Sequence, residues 1–280
     1  MMKQQITPRT IIEAFLPFTG SASLADIYEA ANLVGLSDQP VRLAIRRLIA
    51  NGDIEQAGRG RAGTLTLTDV GRIRLEQDRM SLALASAQDR GDAPWDKQWR
   101  LIAVSVPEQE RTNRDMLRRE LHGLGAVAIS AGLYISPHDL ENELPKDMRP
   151  YLSTATTQDL NFRGISAPLE IAETLWPSQP VLAAYSTLDT TTRHAGLEAH
   201  TPPIVRLLLL ADALEEAIRA DPLLPLELRT SPWPPSQTRS MWAKQWRSLS
   251  AQVENPLYRD WAPLTAHGSP AAHTFPDTSE

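Results

Sequence analysis

Apolar residues recur at helical spacing through the first fifty positions. In PRTIIEAFLPF (8–18), Ile11, Ile12, Phe15, Leu16 and Phe18 fall where a helix buries one side. After the break TGSAS, Ser23 is placed to cap a second helix, LADIYEAANLVG, with Asp26 favourable in its first turn and Gly35 ending it. SDQPVRLAIRRL (37–48) predicts a third helix. Ser37 is its expected cap, Pro40 sits in the first turn, where a missing N–H does no harm, and Asn51-Gly52 closes it.

The pattern then changes period. DIEQAG and TLTLTDVG flank GRGRA, and Leu65 and Leu67 alternate with threonines as in a half-buried strand. A two-stranded hairpin with a Gly/Arg tip is expected, so the first region reads as a winged helix-turn-helix. A helix over 68–90 follows, with Val70, Ile73 and Leu75 near its start, and then a linker, QDRGDAPW.

WRLIAVSV reads as a buried strand ended by Pro107. EQERTNRDMLRRELHGL reads as a helix with core face Met116, Leu117, Leu121 and Leu124, and AVAIS and LYIS as two short strands. Strand, helix, strand, strand opens a ferredoxin-like split βαβ arrangement, with a closing strand expected around DLNFRGI (159–165). From about 168 the pattern is helical: PLEIAETLWP, PVLAAYSTLD, the broadly apolar PPIVRLLLLADALEEAIRA, and SMWAKQWRSLSAQV after a proline-rich turn. The fold class is therefore α+β. Residues 1–92 form the winged domain with its linker helix, 93–167 the ferredoxin-like domain, 168–262 a helical domain and 263–280 a disordered tail.

Around the third helix, Val41, Ala44, Ile45 and Leu48 form the core stripe. Gln39, Leu43 and Arg46 project opposite, and Arg42 and Arg47 lie on the flanks. In a helix-turn-helix the second helix of the pair enters the major groove. Gln39 suits adenine N6/N7, an arginine guanine O6/N7 and Leu43 a thymine methyl group. Arg47 is placed for phosphate, and Arg59 and Arg61 at the hairpin tip for phosphate or the minor groove. A solvated amphipathic face is the plain alternative for the helix, and a flexible loop for GRGRAG.

Charge sharpens this picture. The 280-residue chain carries net charge −6, yet residues 39–61 hold five arginines against Asp53 and Glu55, a local basic patch on an acidic whole. The absence of cysteine excludes disulfides, thiolate zinc sites and cysteine nucleophiles. MMKQQITPRT has no apolar signal core, and VRLLLLADAL is too short to span a bilayer; a cytoplasmic protein without membrane contact is expected.

These residues resemble the PaaX family of bacterial repressors, named for control of phenylacetic acid degradation, over about residues 8–260. PRTIIEAFLPF, PVRLAIRRLIANGDIE and GRGR look like the family's winged helix-turn-helix. PWDKQWRLIAVSVPEQERTNRDMLRRELHGLGAVAISAGLYISP resembles its tryptophan-bracketed strand, arginine-rich helix and closing signature, and DPLLP with Trp233 its C-terminal signature. LELRTSPWPP departs from the family's pattern after DPLLP, and YLSTATTQDL and TTTRHAGLEAH are atypical. The resemblance implies a homodimer on an inverted-repeat operator in double-stranded DNA, released by an aryl acyl-CoA thioester such as phenylacetyl-CoA. It implies no catalytic residue, no metal and no resident cofactor.

The central domain also resembles small CRISPR-associated ferredoxin-like nucleases, which carry a metal-binding aspartate at the end of the first strand. Ser105-Val106-Pro107 stand there, without a carboxylate. That disfavours a metal-dependent nucleic-acid enzyme, which stands as the rival reading, with a protein-binding winged module as another. The candidate effector residues are Arg111, Arg114 and Arg118, a basic stripe that suits CoA phosphates but also pairs plainly with Glu108, Glu110 and Asp115, and Trp176 and Trp233 for an aromatic pocket. The six histidines lack metal-site spacing; His194 and His200, flanking a loop with Glu198, read as surface residues.

Overall fold

The computed structural model describes residues 6–140, 143–198, 200–254 and 257–258. The expected tail, 263–280, with His267 and His273, lies outside the described residues. The chain forms two units. One takes the chain up to Ala83, Thr190–Ala213 and the chain from Ser240; the other takes Leu84–Asp189 and Leu214–Arg239.

In the first unit, α1 (Pro8–Phe15), α2 (Leu24–Leu33) and α3 (Asp38–Ala50) precede β2 (Ile54–Ala57) and β3 (Thr64–Leu67). Thr7 caps α1, its hydroxyl accepting the Thr10 N–H, and Ser23 caps α2. The sheet has three strands rather than two. β1 (Ala22–Ser23), within the segment expected to be a break, pairs antiparallel with β3, Ala22 opposite Leu65, giving the order β1-β3-β2. Two residues are too few to show an alternating pattern, and Ser23 serves both as strand residue and as helix cap. Ile11, Ile12, Ile27, Val41 and Leu65 are fully buried and form the core.

α4 (Asp69–Arg90) follows β3 directly and takes up Gln88–Arg90 of the expected linker. Its Gly71 is required by close packing: a Cβ there would stand 1.9 Å from the Asp53 carbonyl oxygen. Of the apolar residues near its start, Leu75 is buried while Val70 and Ile73 are exposed.

The helical stretch expected to stand as one region from 168 to 262 is shared between the two units. Parts of α8 (Pro203–Arg219) and α9 (Pro234–Ser250) belong to the first. The Thr10 hydroxyl donates to Asp212 Oδ1 at 3.1 Å, the Tyr258 N–H to the Ala14 carbonyl at 2.8 Å and the Trp242 indole N–H to the Leu210 carbonyl at 2.9 Å. These long-range polar bonds have no local signature in the sequence.

The second unit is built on β4 (Trp99–Val104), α5 (Arg111–Gly123), β5 (Val127–Ser130), β6 (Leu133–Ser136) and β7 (Leu152–Thr157). All pairs are antiparallel, in the order β5-β6-β4-β7, the expected split arrangement. The closing strand is not 159–165, where only an isolated Phe162–Ile165 bridge forms, but the threonine-rich segment before it. Leu152–Thr157 lies at a sheet edge with four consecutive exposed residues, so it needs β-branched side chains but no apolar alternation.

Both faces of this sheet are covered. Ile102 and Tyr134 pack with Leu121 of α5 on one side. On the other, Trp99 and Ile135 pack with Ile171, Ala172 and Trp176, on and just after α6 (Pro168–Leu175), and with Leu224 and Leu228. Trp176 stacks on Trp99 at 6.2 Å and donates its indole N–H to the Gly125 carbonyl at 2.7 Å. α7 (Ser178–Leu197) runs through the expected loop TTTRHAGL, because Thr192 and Ala195 bury as the helical period continues. No helix among the described residues is long and apolar enough to cross a membrane.

Candidate nucleic-acid interface

Three buried side chains fix the orientation of α3. Val41, Ile45 and Leu48 sit in the core of the first unit at spacings of four and three, while Ala44 is only half-buried. That phase leaves Gln39, Arg42, Leu43, Arg46 and Arg47 all exposed, as the helical period predicts. Leu43 is 48% exposed, an apolar side chain held in water with no core partner to account for it.

The ends of α3 are built differently. Asn51 is the C-cap, and Gly52 at φ +77° turns the chain so that the Asp53 N–H donates to the Leu48 carbonyl at 2.9 Å. At the start, Ser37 occupies the cap position but its side chain makes no capping hydrogen bond, contrary to expectation. The polar work there falls to Asp38. Its Oδ2 accepts from Arg42 Nη2 at 3.3 Å, and its Oδ1 lies 3.6 Å from Arg61 Nη2.

Arg61 belongs to the hairpin tip, a 3-10 turn over Gly60–Ala62. Its guanidinium also stands 5.7 Å over the Tyr28 ring of α2. The structure thus brings Arg42 and Arg61 together through one carboxylate. Gln39, Arg46, Arg47 and Arg59 have exposed side chains with no hydrogen bond or ion pair among the described residues. The result is a basic, largely unneutralised surface shared by one helix and one hairpin.

A buried ionic frame supports it. Arg74 of α4 donates to Glu13 Oε1 at 2.7 Å and to Asp53 Oδ1 at 3.1 Å, and both carboxylates are buried. α1, the turn after α3 and α4 are thereby fixed to each other. Sequence reasoning missed Asp38 and Arg74. The i,i+4 spacing of Asp38 and Arg42 was the available signal for the first. Nothing local marks the second.

The candidate effector residues lie elsewhere and fall into two separate groups, the arginines on α5 and the tryptophans beside Arg229. Arg111 and Arg118 are exposed on α5 and Arg114 is half-buried; Arg111 lies 3.9 Å from Asp115. Glu110 is held instead by the Tyr151 hydroxyl and by Asn113. Trp176 is packed on the opposite sheet face from α5. Trp233 is buried under the Arg229 guanidinium at 4.8 Å, and Arg229 donates to the Trp176 carbonyl at 2.9 Å. The arginines and the tryptophans therefore do not converge on one pocket. A cleft of about 330 Å³ lined by Gln88, Gly91, Ala93, Pro94, Leu226 and Glu227 contains none of them. Among the described residues, no three His, Asp or Glu side chains gather as a metal site would require.

Residues 92–160 match the family model described as "PaaX protein central Cas2-like domain". Over that span the chain is similar to the central domain of the PaaX family. That span contains β4, α5, β5, β6 and β7, so the PaaX domain and the four-stranded sheet coincide. Among solved structures, the chain is similar to "Uncharacterized protein Rv0674 from Mycobacterium tuberculosis". The two are 19% identical, with a TM-score of 0.53, covering 82% of this chain and 89% of that one, a likeness of fold. No curated protein matches the chain.

Proposed function

We propose that this PaaX-domain chain is a sequence-specific DNA-binding transcriptional regulator, a repressor of an aromatic-acid catabolic pathway. Its first unit is read as a winged helix-turn-helix, with α2 and α3 as the helix pair and the β2–β3 hairpin as the wing. The observation that carries this reading is the outward face of α3. Gln39, Arg42, Leu43 and Arg46 project together from a helix whose opposite face is locked in the core. In this reading those four meet base edges, and Arg47, Arg59 and Arg61 hold the backbone or the minor groove. The PaaX central domain supports the regulatory reading at the level of the family.

The proposed regulator is a homodimer on an inverted repeat. Its effector is an aryl acyl-CoA thioester, with Arg111, Arg114 and Arg118 supplying cations for the CoA phosphates. For release, that ligand must bind the DNA-incompetent conformation more tightly than the competent one. The test is equilibrium binding to the DNA upstream of the chain's own gene, against a shuffled duplex of equal length. Selective binding that weakens on adding an aryl acyl-CoA supports the proposal; equal binding to both duplexes refutes it.

A further inference from the structure

Asp38 stands where a carboxylate is least expected, at the start of a helix proposed to enter a polyanion. Its charge favours the helix N-terminus, but its oxygens face two guanidiniums instead of serving as a cap. The side chains are open to solvent, 29% for Asp38, 61% for Arg42 and 55% for Arg61, and ion pairs this exposed add little to stability. What the arrangement does supply is orientation. Arg61 is held from two sides, by Asp38 and by the Tyr28 ring, and Arg42 is drawn back toward the first turn of its own helix.

We propose that Asp38 is a specificity-determining residue for DNA. It braces Arg42 of α3 and Arg61 of the wing against each other and withholds both from indiscriminate phosphate binding. The inference rests on the DNA-binding reading above. A free arginine on a flexible stem finds a phosphate on any duplex, and that contact carries no sequence information. A carboxylate between two such arginines partly neutralises them and adds a charge that a misplaced phosphate must approach. Only a duplex whose groove offers Arg42 and Arg61 better partners, in the right places, releases them from Asp38. Discrimination thus comes from penalising the wrong partner as well as from rewarding the right one. Arg47 and Arg59, which have no such partner among the described residues, provide the general attraction.

The test compares wild type, Asp38→Asn and the same substitution in an Arg42→Ala/Arg61→Ala background. Each is titrated with a selected site and with a random-sequence duplex over a range of salt. Asp38→Asn keeps the size and polarity of the side chain and removes its charge. The variant should bind the random duplex about 3- to 10-fold more tightly, with a salt slope steeper by about one to two ion equivalents, as expected for one or two added phosphate contacts. Its preference for the selected site should fall, and the gain on random duplex should vanish in the double-alanine background. Unchanged random-duplex affinity and salt slope would overturn the proposal. So would an equal loss of affinity for both duplexes, which would mark Asp38 as merely structural. Should the wild-type chain bind no duplex at all, the DNA-binding reading falls and this inference with it; that outcome is read from the wild-type titration alone.

Discussion

Arg239 meets Asp89 side-on, its Nε donating to one carboxylate oxygen at 2.7 Å and its Nη2 to the other at 2.6 Å. The same guanidinium donates through Nη1 to the Tyr185 hydroxyl at 2.7 Å and lies 3.6 Å from Asp221. Within the second unit this one side chain joins the end of α4, the middle of α7, the turn after α8 and the first turns of α9. Burial pushes the Tyr185 hydroxyl and the Asp221 carboxyl upward; it pulls the Arg239 guanidinium down, but the bond to Asp89 helps to hold that group above its ordinary value. Asp89→Ala leaves a largely buried cation short of two charge-assisted bonds. It should lower the unfolding free energy by about 1.5–3 kcal/mol in urea titration. Breaking the exposed Glu216–Arg219 pair by Glu216→Ala should change it by less than about 0.5 kcal/mol.

His138 gives the second unit a pH dependence. Its ring Nε2 lies 2.9 Å from the Leu223 carbonyl, and burial lowers its pKa from the ordinary 6.5, against the opposing pull of that hydrogen bond. The folded protein therefore resists protonation that the unfolded chain accepts below about pH 6.5. Stability is intact above that value and declines as pH falls through the window beneath it. Urea titrations at pH 7.5 and 5.5 should show a smaller loss on acidification for His138→Gln than for wild type.

Gly71 tests the support beneath the proposed DNA-reading surface. With the Asp53 carbonyl oxygen 1.9 Å from where a Cβ would stand, Gly71→Ala must push α4 away from the turn after α3. The same movement strains the Arg74 bonds to Glu13 and Asp53. A loss of about 1–3 kcal/mol is expected by thermal or urea unfolding, together with weaker DNA binding. Gly91→Ala, at a position open on all sides but with φ +78°, should cost less.

Arg46 and Arg47 are neighbours with different expected roles. Arg47→Ala should weaken binding to every duplex and reduce the salt slope by about one. Arg46→Ala should cost about 1–3 kcal/mol on a preferred site and relax selectivity at one base position. Both are read by fluorescence anisotropy on matched and mismatched duplexes.

Much of α3 is legible in the sequence because a half-buried helix writes its period into its residues. Val41, Ile45 and Leu48 are buried, and the outward residues follow from them. The central sheet is legible as far as its strands carry apolar residues, from Trp99 to Ser136. β1 escaped notice because two residues cannot show alternation. β7 escaped because an exposed edge strand of Ser, Thr and Ala satisfies its backbone without needing an apolar face. The division of the C-terminal helices rests on bonds such as Thr10–Asp212, between residues far apart in the chain. The brace at Asp38 was within reach of the i,i+4 rule for Arg42. Its link to Arg61 required the fold to bring the hairpin back beside α3.

The central claim is that α3 reads base sequence, and selection from a random duplex library tests it most directly. Wild-type protein should enrich one motif, an inverted repeat whose half-sites are spaced by whole turns of the double helix. Arg46→Ala should lose preference at one position of each half-site while the rest of the motif persists. Enrichment of no motif by the wild-type chain, or the same motif from Arg46→Ala unchanged at every position, would contradict the account.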